Sequence, residues 1–181
     1  MSYDLNAYSL STERPLKENF RDSLQRNGWE IVFISDEARS RRAFLAADGP
    51  IEEEAIIIGW QTKDKNAALL TKAAAIQDIK TIEAIAETTQ AIAGCAISVT
   101  IPYQVDKQQL ADMAVRGEIH YADLMKSAQS HYYLRTAAGR SPLSFEFQRL
   151  VWLTIGEVCG GLLENPEDGE YIIFDASTRA I

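Results

Sequence analysis

Four acids crowd one short stretch near the C-terminus: Glu164, Glu167, Asp168 and Glu170 in GGLLENPEDGEY, residues 160–171. Paired carboxylates can act as general acid and base, but only where a cleft moves their pKa values apart. Here they flank a proline and a glycine, the composition of a solvated turn. Asn165 can bond its own backbone, Pro166 presets φ, Asp168 tolerates turn geometry and Gly169 supplies φ > 0. Turn chemistry leaves the three glutamates unexplained. A second acidic run, Glu52, Glu53 and Glu54, precedes AIIIGW and reads as the solvated entry to a strand.

The remaining candidates for chemistry offer less. His120 and His131 are the only histidines. On one continuous helix they would lie about 16 Å apart, too far to share a metal ion, with only Asp123 as a nearby carboxylate. Cys95 and Cys159 sit among apolar neighbours, as small buried hydrophobes do, and not as zinc ligands or activated nucleophiles. No serine occupies a strand-turn-helix elbow. The glycines at 94, 160 and 161 close helices, whereas nucleotide-binding glycines follow a strand and open one. The expectation is therefore a protein that is not an enzyme, with no cofactor and no metal. In HYYLRTAAGRSP, Tyr132 and Tyr133 alternate with Arg135 and Arg140 as nucleic-acid grooves do. Two arginines in a chain of net charge −8 favour a capped helix end instead.

The acidity is localised. Residues 1–43 hold seven bases and seven acids, and residues 61–142 hold nine and eight. Residues 44–60 carry four acids and no base, and residues 143–181 carry seven acids against two arginines. Two acidic segments disfavour nucleic acid and suit a basic protein partner.

Periodicity defines the elements that must position these residues. YDLNAYSL (3–10) alternates as a strand. Ser11 or Thr12 can cap a helix whose stripe is Leu16, Phe20 and Leu24, ended by Asn27-Gly28. WEIVFIS (29–35) is a second strand, residues 36–54 read as helical turn or loop with a turn at Asp48-Gly49-Pro50, and AIIIGW (55–60) is a strand buried on both faces. Residues 63–93 are helical with a break at Gln77-Asp78 and Gly94 closing them. CAISVTI (95–101) is a strand stopped by Pro102. Asp106 caps a helix, a second runs over about 121–136, and a third, apolar on most sides, starts at Ser141-Pro142. Gly160-Gly161 ends it, and GLLEN and EYIIFD form a hairpin about PEDG. No internal repeat stands out. With 181 residues and 46% apolar content, the expectation is a single α+β domain over 1–181, with a mixed or antiparallel sheet, several packed helices and a helix-rich middle, 61–142. No apolar run is long enough to cross a membrane and the N-terminus lacks a secretory pattern, which predicts a cytoplasmic protein without membrane contact.

Two parts of the sequence carry a resemblance. MSYDL followed by a helix and Gly28-Trp29-Glu30-Ile31-Val32 is one. The late helix running into Gly160-Gly161-Leu162-Leu163 and Asn165-Pro166-Glu167-Asp168-Gly169 is the other. Together they resemble small bacterial single-domain proteins, several of which are immunity proteins of toxin–immunity pairs. Residues 61–142 carry none of the likeness. The resemblance implies a non-catalytic protein that occludes the basic active site of one cognate toxin domain. Glu52, Glu53, Glu54, Glu164, Glu167, Asp168 and Glu170 would then be rim or steering charges, with Trp60, Tyr171 or Tyr103 as aromatic anchor. The alternative is a structural or accessory domain that self-assembles into a homo-oligomer through an uncovered apolar face of residues 66–93.

Overall fold

The alternation in residues 3–10 becomes β1 (Asp4–Ser9) in a computed structural model that describes residues 3–37, 41–136 and 141–175. The helix that follows, α1 (Lys17–Arg26), begins later than a Ser11 or Thr12 cap would place it. Leu16 is its N-cap and is exposed, while Asn19 Oδ1 accepts from the Leu16 amide at 2.9 Å. The buried stripe is consequently Lys17, Phe20 and Leu24. The Lys17 ammonium is buried by donating to the Ala46 carbonyl (2.7 Å) and Glu52 (2.6 Å), which fastens α1 to the loop before β4.

β2 (Trp29–Glu37) is the expected strand, but residues 41–44, expected as helical turn or loop, form a strand, β3 (Arg41–Phe44), paired antiparallel with it. β4 (Glu54–Gln61) is buried on both faces, as its unbroken apolar run requires. The long helical segment breaks as expected into α2 (Ala67–Ala75) and α3 (Ile79–Thr88). Gln77 takes φ +55° there, and Asp78 accepts from the Thr81 amide at 3.1 Å. Gly94 does not close a helix. It lies inside β5 (Ile92–Thr100), whose ladder with β4 runs from Ile92 opposite Trp60 to Ser98 opposite Glu54.

α4 (Lys107–Val115) starts at its Asp106 cap. The helix expected over 121–136 is instead α5 (Ile119–Ser127) followed by β6 (Ser130–Thr136). The reason is a period of two: Ser130, Tyr132 and Leu134 are buried, while His131, Tyr133 and Arg135 point to the other face. His120 and His131 therefore sit on different elements. Arg140 lies outside the described residues. α6 (Pro142–Cys159) is capped by Ser141, and β7 (Gly161–Asn165) and β8 (Glu170–Phe174) close the chain as the expected hairpin.

These strands make one antiparallel sheet in the order β3-β2-β4-β5-β6-β1-β7-β8. The fold is thus α+β with the antiparallel form of the sheet. On its first face α1 and α6 bury Leu5, Ala7, Phe33, Ile57, Cys95, Ile97, Tyr132, Leu134 and Leu163. On its second face α2–α3 covers Ile34, Ile56, Ile58, Trp60 and Ile92, and α4–α5 covers Tyr8 and Leu162.

The two helical hairpins share one construction forty residues apart. Leu70, Ala73, Ile82 and Ile85 correspond to Leu110, Met113, Ala122 and Met125, and each set faces the sheet. Asp78 N donates to Ala73 O at 2.8 Å, and Glu118 N to Met113 O at 2.9 Å. Gln77 and Gly117 (φ +78°) hold the same left-handed position. Ala against Met and Ile against Ala at equivalent sites conceal the repeat in the sequence.

The Phe147 ring of α6 packs directly on Gly59 of β4, where a Cβ would overlap it. Gly59→Ala is expected to lower the unfolding free energy by about 2–3 kcal/mol through overpacking, measured as a reduced urea midpoint at unchanged slope.

Candidate functional site

One side chain per strand lines up across the second face. Glu54 (β4), Ser98 (β5), Tyr133 (β6), Asn6 (β1), Glu164 (β7) and Tyr171 (β8) are successive register partners. At about 4.8 Å per strand the row is about 24 Å long. Every member is polar. Beside it run Thr100, His131 and Tyr8 on one flank, and Arg135 and Asp4 on the other. The apolar residues on either side are taken up by the hairpins, α2–α3 over β2, β4 and β5, and α4–α5 over β1 and β7. Between them Glu54, Thr100 and Arg135 are exposed, while Asp4, Asn6, Ser98, His131 and Tyr133 are half-buried. This strip is the candidate binding face.

Its inner end is a hydrogen-bonded aromatic cluster. Glu164 is only 8% exposed. Its Oε2 accepts from Tyr8 Oη at 2.9 Å and from Asn6 Nδ2 at 3.2 Å, and its Oε1 from Tyr171 Oη at 3.4 Å. Tyr171 Oη also lies 3.1 Å from Glu118 Oε2, and Glu118 is held by Arg116 at 2.9 and 3.0 Å. Since Asn6 donates through Nδ2, its Oδ1 accepts from His131 Nε2 at 2.9 Å, which fixes the imidazole tautomer. The His131 ring stacks on Tyr8 at 4.8 Å, and Tyr103 lies tilted against both.

Electrostatics follows from this packing. Burial holds His131 down at about 4, so it is uncharged at neutral pH. Burial and then the Glu164 charge raise the Tyr8 and Tyr103 hydroxyls, and burial, Glu164 and Glu118 push Tyr171 up to about 12. The Arg116 hydrogen bond lowers Glu118, and the Arg149 hydrogen bond lowers Glu170.

The expected contact residues fall into three groups. Glu54, Glu164 and Tyr171 join the row, Glu54 accepting from Ser98 Oγ at 2.9 Å. Glu164 is nevertheless a correction: it is a buried hydrogen-bond acceptor and not a rim charge. Others serve the fold. Glu52 pairs with Lys17, and Glu170 takes a two-pronged bond from Arg149 at 2.8 and 2.9 Å. Asp168 accepts from Asn165 Nδ2 at 2.7 Å and from Tyr3 Oη at 3.3 Å. Trp60 is a further correction. It is 1% exposed, its Nε1 donates to Thr71 Oγ1 at 3.3 Å, and it packs under α2–α3, so it anchors no partner. Glu53 and Glu167 are exposed, and neither is a register partner in the row.

Asn6, Ser98, His131 and Tyr133 are the strip residues that sequence reasoning missed. For His131 and Tyr133 the signal is the alternation of HYYLRT, which a helix over 121–136 erases; Asn6 and Ser98 lie on strands that were expected, and only the register aligns them. Both cysteines are buried, and burial raises the Cys95 thiol, which keeps it unreactive. Among the described residues no group of three His, Cys, Asp or Glu side chains could hold a metal ion. No helix there is long and apolar enough to cross a membrane. No protein-family model, curated protein or solved structure matches the chain.

His131 gives the strip a pH signature. Its folded pKa lies below the ordinary 6.5, so the unfolded chain takes up the proton first as pH falls. Its stabilising contribution is full above about 6.5 and is lost on the way down to about 4. Urea unfolding at pH 7.5 and pH 4.5 should show wild type losing on the order of 2 kcal/mol more than His131→Gln across that interval.

Proposed function

We propose that the chain is a non-catalytic binding protein of the immunity type, which receives a cognate toxin domain on the polar strip across its sheet and so blocks that domain's active site. The observation that carries this reading is the strip itself. Dedicated hairpins cover the apolar parts of the second face, and a row of polar and aromatic side chains stays open between them. Tyrosine, asparagine and histidine provide contact area and hydrogen bonds with few rotors to freeze. Asp4 and Glu54 against Arg135 leave a small acidic excess that suits a basic partner and speeds its encounter. The cytoplasm is the compartment this role requires. Self-assembly through residues 66–93 has less support, because Leu70, Ala73, Ile82 and Ile85 are already packed against the sheet.

Co-expression with the product of the adjacent reading frame tests the proposal. The wild-type chain is expected to restore growth to cells poisoned by that product. Tyr133→Arg should abolish protection and weaken association by at least about tenfold, whereas Glu167→Lys should change it by less than about twofold. A wild-type chain that gives no protection overturns the reading.

A further inference from the structure

Glu164 is a buried carboxylate with no ion-pair partner among the described residues. Three half-buried acids have one: Glu52 has Lys17, Glu118 has Arg116 and Glu170 has Arg149. Among the described residues no ion pair engages Glu164, and its bonds come from neutral donors. His131, linked to it through Asn6, is uncharged at neutral pH. The two oxygens also differ. Oε2 holds two donors, while Oε1 has only Tyr171 Oη at 3.4 Å. That hydroxyl has one proton and a nearer acceptor in Glu118 Oε2 at 3.1 Å. One hydroxyl cannot satisfy two carboxylates.

Aromatic side chains bond this carboxylate, Tyr8 at Oε2 and Tyr171 at Oε1, and further rings pack on them. Tyr8 and Tyr103 lie 5.5 Å apart, and Tyr103 is 5.1 Å from His131. Tyr171 stacks on Tyr121 at 4.3 Å. Tyr103, Tyr121, Tyr171 and His131 are all half-buried, so this ring cluster is partly open to solvent. Ring faces attract cations, and a carboxylate among them adds a full opposite charge in a partly desolvated place.

We infer that Glu164 Oε1, with the rings of Tyr103 and Tyr171, is a receptor for one guanidinium group carried by the protein partner; this rests on the partner's seat being the strip proposed above. A guanidinium fits better than an ammonium for two reasons. Its planar fork can donate to Oε1 while lying flat on a tyrosine ring. Its arrival also frees the Tyr171 hydroxyl to serve Glu118 alone, so no donor or acceptor is orphaned. The acidic turn at residues 166–170 takes no part in this recognition.

N-acetyl-arginine amide is the probe, titrated into the intact protein while NMR follows the His131 imidazole and tyrosine ring signals. Saturable shifts with millimolar affinity are expected, localised to Tyr8, Tyr103, His131 and Tyr171. N-acetyl-citrulline amide, of the same shape but uncharged, should bind at least about tenfold more weakly, as should the arginine probe to Glu164→Gln. Should Glu164→Gln fail to fold, Tyr103→Leu, which removes a half-buried ring, is expected to weaken the arginine probe several-fold with the circular dichroism spectrum unchanged. Equal binding of the two probes, equal binding to the variants, or no saturable shift overturns the receptor. The titration needs no toxin. Binding of the arginine probe by a chain that gives no protection counts against the immunity reading alone, and protection without probe binding counts against the receptor alone.

Discussion

The packing of α6 on the first face of the sheet is the contact on which the rest of the molecule depends. Gly59 on β4 leaves room for its Phe147 ring. From the same helix Trp152 Nε1 reaches the Asn6 carbonyl at 2.7 Å. Gln148 Nε2 spans the carbonyls of Tyr3 (2.7 Å) and Leu134 (3.1 Å). One helix thus holds β1 and β6 in a fixed relation from beneath. Residues on a strand alternate between faces, so fixing Ala7, Leu134 and Leu163 downward fixes Asn6, Tyr133 and Glu164 upward. The polar row is the reverse side of the core.

Charge counting pointed to acids in the right segments but assigned several of them the wrong work. The surplus around the C-terminal turn is largely internal bookkeeping of the fold: Glu170 ties β8 to α6 through Arg149, and Asp168 braces the turn through Asn165. Glu52 neutralises a lysine buried under α1. What remains for a partner is a mixed polar surface in which tyrosines count for more than formal charge.

The strands with clear alternation and the helices with clear caps were legible in the sequence. Asp78, Asp106 and Ser141 each cap the helix expected of them. The central strand was legible too, since an unbroken apolar run admits few other readings. Residues 130–136 were not, because two tyrosines, a leucine and an arginine suit a helix end as well as a strand. Only pairing with β1 and β5 decides between them. That single ambiguity hid the middle of the candidate face, for Tyr133 and His131 lie on this strand. Lys17 is a second case: a lysine in a helix stripe looks solvated until the Ala46 carbonyl and Glu52 are brought to it by the fold.

β4, β5 and β6 are adjacent and antiparallel, and chains so arranged need no more than a two-residue turn between them. Here each connection is a pair of helices built to one pattern. Connectivity does not demand them, and the ladder beneath is complete without them. They are therefore the parts that can be lengthened, shortened or exchanged while the sheet keeps its register. A lineage could reshape the walls of the strip, and with them the choice of partner, without rebuilding the floor.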